Sequence, residues 1–144
     1  MPVRTSNAVW RGALRDGNGT MKLGSGAFEG QYSFASRFQE GTGTNPEELI
    51  GAAHAGCFSM ALAGILADAG HPPTSIHTTA KVSINPADGG FAITRIDLIT
   101  EGDVPGINQA TFSQCADDAK KNCPVSKALA SVPEITLQAT LKSS

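Results

Sequence analysis

The sequence predicts an α+β fold from three observations: alternating apolar and polar stretches at both ends of the chain, glycine-containing turns at hairpin spacing between them, and one long middle helix that is apolar on every side. The chain has 144 residues, 40% of them hydrophobic and 17% charged. That length and composition fit one packed domain over residues 1–144 better than two domains or a disordered chain.

Residues 5–38 are rich in Gly, Ser and Thr, and Ala8, Trp10, Gly12 and Leu14 alternate as in a strand. Asp16-Gly17-Asn18-Gly19 is a hairpin signal. Strands are expected around 19–23 and 32–38, joined through Gly24-Ser25-Gly26, so the N-terminal part reads as a three-stranded meander. Asn45-Pro46-Glu47-Glu48 then starts a helix, with Asn45 as N-cap, Pro46 in the first turn and Glu48 three residues past the cap. Residues 49–67 are apolar on every side and dominated by Ala, Leu, Ile, Phe and Met, and Gly70 stands where a C-terminal cap belongs. A helix with no polar face must be enclosed. One small sheet covers only one side, which predicts a partner subunit on the other and a homodimer. Some 20 apolar residues can span a bilayer, but Gly51, His54, Gly56 and Ser59 interrupt this run without a basic flank or aromatic belt, and no membrane span is expected.

Past His71-Pro72-Pro73, Ile76, Thr78, Ala80, Val82 and Ile84 form one face of a half-buried strand. Asn85-Pro86-Ala87-Asp88-Gly89-Gly90 turns it into a second strand over 91–100, an antiparallel hairpin. Residues 108–122 read as a helix with Phe112, Cys115, Ala116 and Ala119 on one face. A short helix begins at Pro124 behind Cys123 as N-cap, and Ile135, Leu137, Ala139 and Leu141 mark a terminal strand. No internal repeat or low-complexity tract is present.

Charge excludes some functions. Eleven Lys and Arg stand against thirteen Asp and Glu, a net charge of −2 without like-charge runs, so neither nucleic acid nor an anionic membrane is an expected partner. Met1-Pro2-Val3-Arg4-Thr5-Ser6 has no apolar core behind a basic start, which predicts a cytoplasmic protein. Three cysteines do not make the even framework of a secreted disulfide-stabilised domain, and they invite catalytic, metal or packing explanations.

Cys57 lies mid-helix among small neighbours, where a free cysteine usually acts as a small hydrophobe. Cys123, at a helix start, meets unpaired N–H groups that favour the thiolate. Together they make a redox pair or half of a metal site. Cys115, on an apolar helix face, reads as packing. His54 and Cys57 share a helix face, and with Cys123 and His71 or His77 they could be drawn as a zinc site. No tight second ligand pair supports this, so no metal and no cofactor is expected, and His54 reads as a core histidine bonded to a backbone carbonyl. Glu47 lies about 15 Å along the helix axis from Cys57, at 1.5 Å per residue, so a site using both would take its carboxylate from a second subunit. Arg37, placed in a strand of uncharged residues, is the cation best suited to pair with that glutamate; a surface arginine is the other reading of it.

The run Gly43-Thr44-Asn45-Pro46-Glu47-Glu48-Leu49-Ile50-Gly51-Ala52-Ala53-His54-Ala55-Gly56-Cys57-Phe58-Ser59-Met60-Ala61-Leu62, with Asn122-Cys123-Pro124-Val125-Ser126, resembles the osmotically inducible protein C (OsmC) and organic hydroperoxide resistance (Ohr) family of thiol peroxidases, and is more similar to the OsmC branch. Gly89-Gly90-Phe91-Ala92-Ile93-Thr94 and Val104-Pro105-Gly106-Ile107 extend the likeness. The resemblance implies an intertwined homodimer with antiparallel sheets around long central helices and two sites at the subunit interface. It implies Cys57 as peroxidatic thiol, Cys123 as resolving thiol, and Arg37 with Glu47 as the pair holding the Cys57 thiolate and orienting the peroxide. The implied substrate is an organic hydroperoxide, hydrogen peroxide being weaker, and the implied reductant is an external dithiol of lipoyl type. Cys115 matches no motif cysteine. A non-catalytic dimer using the cysteines as metal ligands or packing is the alternative class; the lack of a Cys-x-x-Cys speaks against a disulfide exchanger.

Overall fold

The computed structural model describes residues 2–142. The chain divides into two compact units, one up to Leu49 and one from Ile50 onward.

In the first unit, β1 (Ser6–Arg11), β2 (Asn18–Leu23) and β3 (Glu29–Ser33) form an antiparallel sheet in the order β1-β2-β3. Gly19 lies between Trp10 and Tyr32, whose ring centroids are 5.2 Å apart. A Cβ at Gly19 would come within 2.8 Å of both rings and 2.5 Å of the Val9 carbonyl, so the rings close over bare backbone. The strand expected over 32–38 stops at Ser33, and Phe34–Phe38 form a short helix, α1. The cause is a reciprocal cap: the Ser36 amide donates to Ser33 Oγ at 3.1 Å and the Ser33 amide to Ser36 Oγ at 2.8 Å, satisfying first-turn donors that alternation alone does not reveal.

The helix α2 runs over Pro46–Asp68. At its start the Glu48 amide donates to Asn45 Oδ1 at 2.8 Å. At its end Gly70 takes a positive φ of 89° and the His71 amide reaches the Leu66 carbonyl at 2.8 Å, the cap expected from Gly70. In the second unit, β4 (Ser75–Ala87) and β5 (Gly90–Asp103) form the antiparallel hairpin. After them come α3 (Gln109–Asn122), α4 (Pro124–Ala128) and β6 (Glu134–Leu141). β6 pairs with β5 in parallel, giving the order β4-β5-β6. Parallel pairing follows because α3 and α4 form the crossover between these strands.

Phe58, Leu62 and Leu66 of α2 are fully buried in one cluster with Ile96 and Leu98 of β5, Phe112, Ala116 and Ala119 of α3, and Cys123. α2 is long and apolar enough to cross a bilayer by composition, but these contacts make it a core helix. Its inner face, Gly51, His54, Phe58, Leu62 and Leu66, repeats every three or four residues. The opposite strip, Ala52, Ala53, Gly56, Met60, Gly64 and Ala67, is exposed. Met60 is 79% exposed, and a Cβ at Gly56 or Gly64 would meet no atom within 4 Å. Within the second unit, the apolar cluster covers one face of α2.

Candidate active site

In the first unit, Arg37 lies in the last turn of α1 and Glu47 in the first turn of α2. The loop between them is anchored: the Thr44 amide donates to the Gln31 carbonyl at 2.8 Å, Ser36 Oγ to the Thr44 carbonyl at 2.7 Å, and Asn45 Nδ2 to the Ser36 carbonyl at 3.1 Å. Thr44 Oγ1 also donates to Glu48 Oε2 at 2.6 Å. These bonds bring Arg37 Nη2 to 2.7 Å from Glu47 Oε1, and Arg37 Nε to 3.2 Å from both carboxylate oxygens. The forked contact fixes the guanidinium plane. Glu47 is 5% exposed, whereas the Arg37 side chain is 36% exposed. The carboxylate is thus the buried partner, and the guanidinium presents an open edge.

In the second unit, Cys57 Sγ and Cys123 Sγ share a hydrogen bond at 3.0 Å although 66 positions separate them. All three cysteines are free thiols. Cys123 is both the C-cap of α3, through its amide to the Ala119 carbonyl at 2.9 Å, and the N-cap of α4, where its sulfur accepts from the Ser126 amide at 3.4 Å. The two sulfurs differ electrostatically. Burial and the hydrogen bond to Cys123 push Cys57 above the ordinary thiol value, only partly offset by the Val125 amide. Burial also works against a Cys123 thiolate, but hydrogen bonds from Cys57, from the Ser126 amide and hydroxyl, and from the Val125 amide outweigh it and bring Cys123 below the ordinary value.

His54 is fully buried. Its bond is not to a backbone carbonyl, as expected, but to the Ser126 hydroxyl, with Nε2 and Oγ 2.7 Å apart. Among the described residues its Nδ1 has no hydrogen-bond partner, and burial pushes its pKa below the ordinary value. Ser126 was not singled out from the sequence; its place one turn past Cys-Pro was the available signal. Cys115 lies in the apolar cluster, raised above the ordinary thiol value by burial and by Asp118. Among the described residues no group of three or more His, Cys, Asp or Glu side chains could hold a metal ion.

The structure therefore joins Arg37 to Glu47 and Cys57 to Cys123. The second cluster can exchange a thiol pair for a disulfide with little sulfur movement, since a disulfide needs about 2.05 Å between sulfurs.

Comparison with known proteins adds three findings. Residues 39–138 match the family described as OsmC-like protein. The chain is 52% identical over 141 residues to peroxiredoxin OsmC of Escherichia coli (strain K12), covering 97% of each chain. It is also 35% identical over 98 residues to the organic hydroperoxide resistance protein of Xanthomonas axonopodis pv. citri (strain 306), covering 67% of each. In fold, it matches the organic hydroperoxide resistance protein OhrB of Bacillus subtilis with a TM-score of 0.72 at 24% identity, over 96% of this chain and 98% of that one.

Proposed function

We propose, from the premise that the chain belongs to the OsmC-like protein family, that it is a thiol-dependent peroxidase. It reduces organic hydroperoxides, and hydrogen peroxide more weakly, in oxidative and osmotic stress defence. The observation that carries this reading is the pair of free sulfurs 3.0 Å apart from distant positions in the chain.

The Cys57 thiolate attacks a peroxide oxygen: an S–O bond forms, the O–O bond breaks, and the other oxygen leaves as alcohol after taking a proton. Cys123 then attacks the sulfenic sulfur. The S–S bond forms, the S–O bond breaks, and the oxygen leaves as water. An external dithiol, of lipoyl type, reopens the disulfide by exchange. The cycle calls for no metal and no cofactor.

Cys57 needs help to ionise, because burial pushes its pKa up. Arg37, oriented by Glu47, is assigned that role, along with orienting the peroxide. In this reading two chains form an intertwined homodimer, and the exposed strip of small residues on α2 is covered by the second subunit; the carboxylate for each Cys57 comes most simply from that subunit. Residues 1–144 act as one domain, and the protein works in the cytoplasm.

The test is thiol titration with mass spectrometry after one equivalent of an organic hydroperoxide. Rapid peroxide loss with a Cys57–Cys123 disulfide is expected, and Cys123→Ser should leave a trappable sulfenic acid at Cys57. Slow, indiscriminate oxidation of all three thiols overturns the reading.

A further inference from the structure

We infer that His54, acting through the Ser126 hydroxyl, is a positioning residue for Cys123: the pair holds the resolving sulfur as the thiolate that attacks oxidised Cys57. The inference rests on the two-cysteine reading above and concerns its second step.

Three observations carry it. His54 Nε2 lies 2.7 Å from Ser126 Oγ in a buried environment, linking α2 to α4 across 72 positions. Ser126 also meets Cys123 through its amide, which donates to Sγ at 3.4 Å, and its hydroxyl favours the Cys123 thiolate. Finally, His54 Nδ1 is buried without a hydrogen-bond partner among the described residues. A buried lone pair without a partner costs less than a buried N–H without one. The proton therefore belongs on Nε2, which donates to Ser126 Oγ and leaves the Ser126 hydroxyl hydrogen free to donate to Cys123 Sγ. Burial, which holds the imidazole neutral, suits this tautomer. The result is a one-way chain of donors ending on Cys123, and each link strengthens the next.

The chain serves the resolving step. The Cys123 thiolate supplies the electron pair of the new S–S bond, the S–O bond of the Cys57 sulfenic acid breaks, and the departing hydroxide takes up the proton that Cys123 released, giving water. A donor chain that favours thiolate at Cys123 raises the fraction of protein ready for this attack.

The experiment is a single turnover of reduced full-length protein with one equivalent of cumene hydroperoxide, with dimedone present to trap sulfenic acid. The readout is the ratio of Cys57–dimedone adduct to Cys57–Cys123 disulfide, per Cys57 oxidised. Ser126→Ala and His54→Leu should raise that ratio roughly threefold to tenfold, as expected for losing a hydrogen bond to a charged group, softened by the greater nucleophilicity of a more basic thiolate. His54→Gln, whose amide N–H can stand near the position of Nε2, should restore most of the disulfide. In a Cys57→Ser, Cys115→Ala background, thiolate absorbance near 240 nm isolates Cys123, and adding Ser126→Ala should raise its titration midpoint by about one pH unit. Ser126→Ala removes one small hydroxyl group, so the test stands even where His54→Leu fails to fold. A wild-type ratio and midpoint in Ser126→Ala overturn the inference alone. Absence of the Cys57–Cys123 disulfide from the wild-type protein overturns the two-cysteine reading, and this inference with it.

Discussion

The corner around Arg37 and Glu47 and the cluster around Cys57 and Cys123 are assembled by different means. The corner joins residues ten positions apart through a short loop, held by a backbone bond from Thr44 to Gln31 and by side-chain bonds to the Ser36 and Thr44 carbonyls. The thiol cluster joins residues 66 positions apart, held by the apolar packing of α2 against α3 and β5. In the corner, charge is local and partly open to water. In the cluster, Cys123 is fully buried and Cys57 partly so, and the balance of thiol and thiolate is decided by a few donors. The comparison teaches that an ion pair can be placed by turn and cap chemistry, whereas a reactive sulfur pair needs the core to form first.

The largest effect expected is on the sulfur side: Cys57→Ser should lower dithiol-dependent hydroperoxide turnover by roughly a thousandfold or more, as removal of a nucleophile does. Its circular dichroism spectrum should stay that of the wild type; a collapse of folding would shift Cys57 from chemistry to packing. Next, Cys123→Ser should cut steady-state turnover with a lipoyl dithiol by about tenfold, while stopped-flow still shows a first burst of peroxide loss.

The corner should respond asymmetrically. Arg37→Ala strands a buried carboxylate and should cost about 2–3 kcal/mol in urea unfolding. Glu47→Gln leaves behind a cation with solvent access and should cost about 1 kcal/mol. Equal losses would mean that burial of Glu47 does not set the energetics of the pair.

The pH response sharpens the contrast from the other side. Burial lowers the His54 pKa from 6.5, so below pH 6.5 the unfolded chain takes up a proton that the folded one refuses. The His54 contribution is present above that pH and is lost as pH falls, with a slope of at most about 1.4 kcal/mol per pH unit. His54→Gln should flatten the unfolding free energy between about pH 5 and 6.5 relative to wild type. The smallest effect belongs to Cys115→Ala, at about 1 kcal/mol of stability with hydroperoxide turnover unchanged, since its sulfur only fills the core.

Much of this was legible in the residues, and the misses have physical causes. Asn45-Pro46-Glu47-Glu48 and Gly70 bound α2 because caps act within one turn, and Cys123-Pro124 marks a boundary for the same reason; the turn expected over 85–90 narrows to 88–89, because Asn85, Pro86 and Ala87 continue β4 against β5. The strand expected over 32–38, which would carry Arg37, gives way to α1 because the Ser33 and Ser36 side chains cap each other's amides. The direction of β6 was not readable, since strand polarity depends on the crossover through α3 and α4. Cys57 and Cys123 pair from their places in the sequence and take their roles from the resemblance, but Ser126 and the partner of His54 are hidden. A hydrogen bond across 72 positions leaves no periodic trace, and a lone serine in a short helix has the same sequence appearance buried or exposed.

The 66-position span between the two sulfurs also has a thermal meaning. A cross-link there would close a loop that long in the unfolded chain and remove conformational freedom worth about 4 kcal/mol, a rise in melting temperature on the order of 10 °C. Oxidised protein would then be the heat-tolerant form and reduced protein the softer one. A melting curve would report the peroxide history of the sample, and the dithiol that recharges the protein would have to work against that added stability.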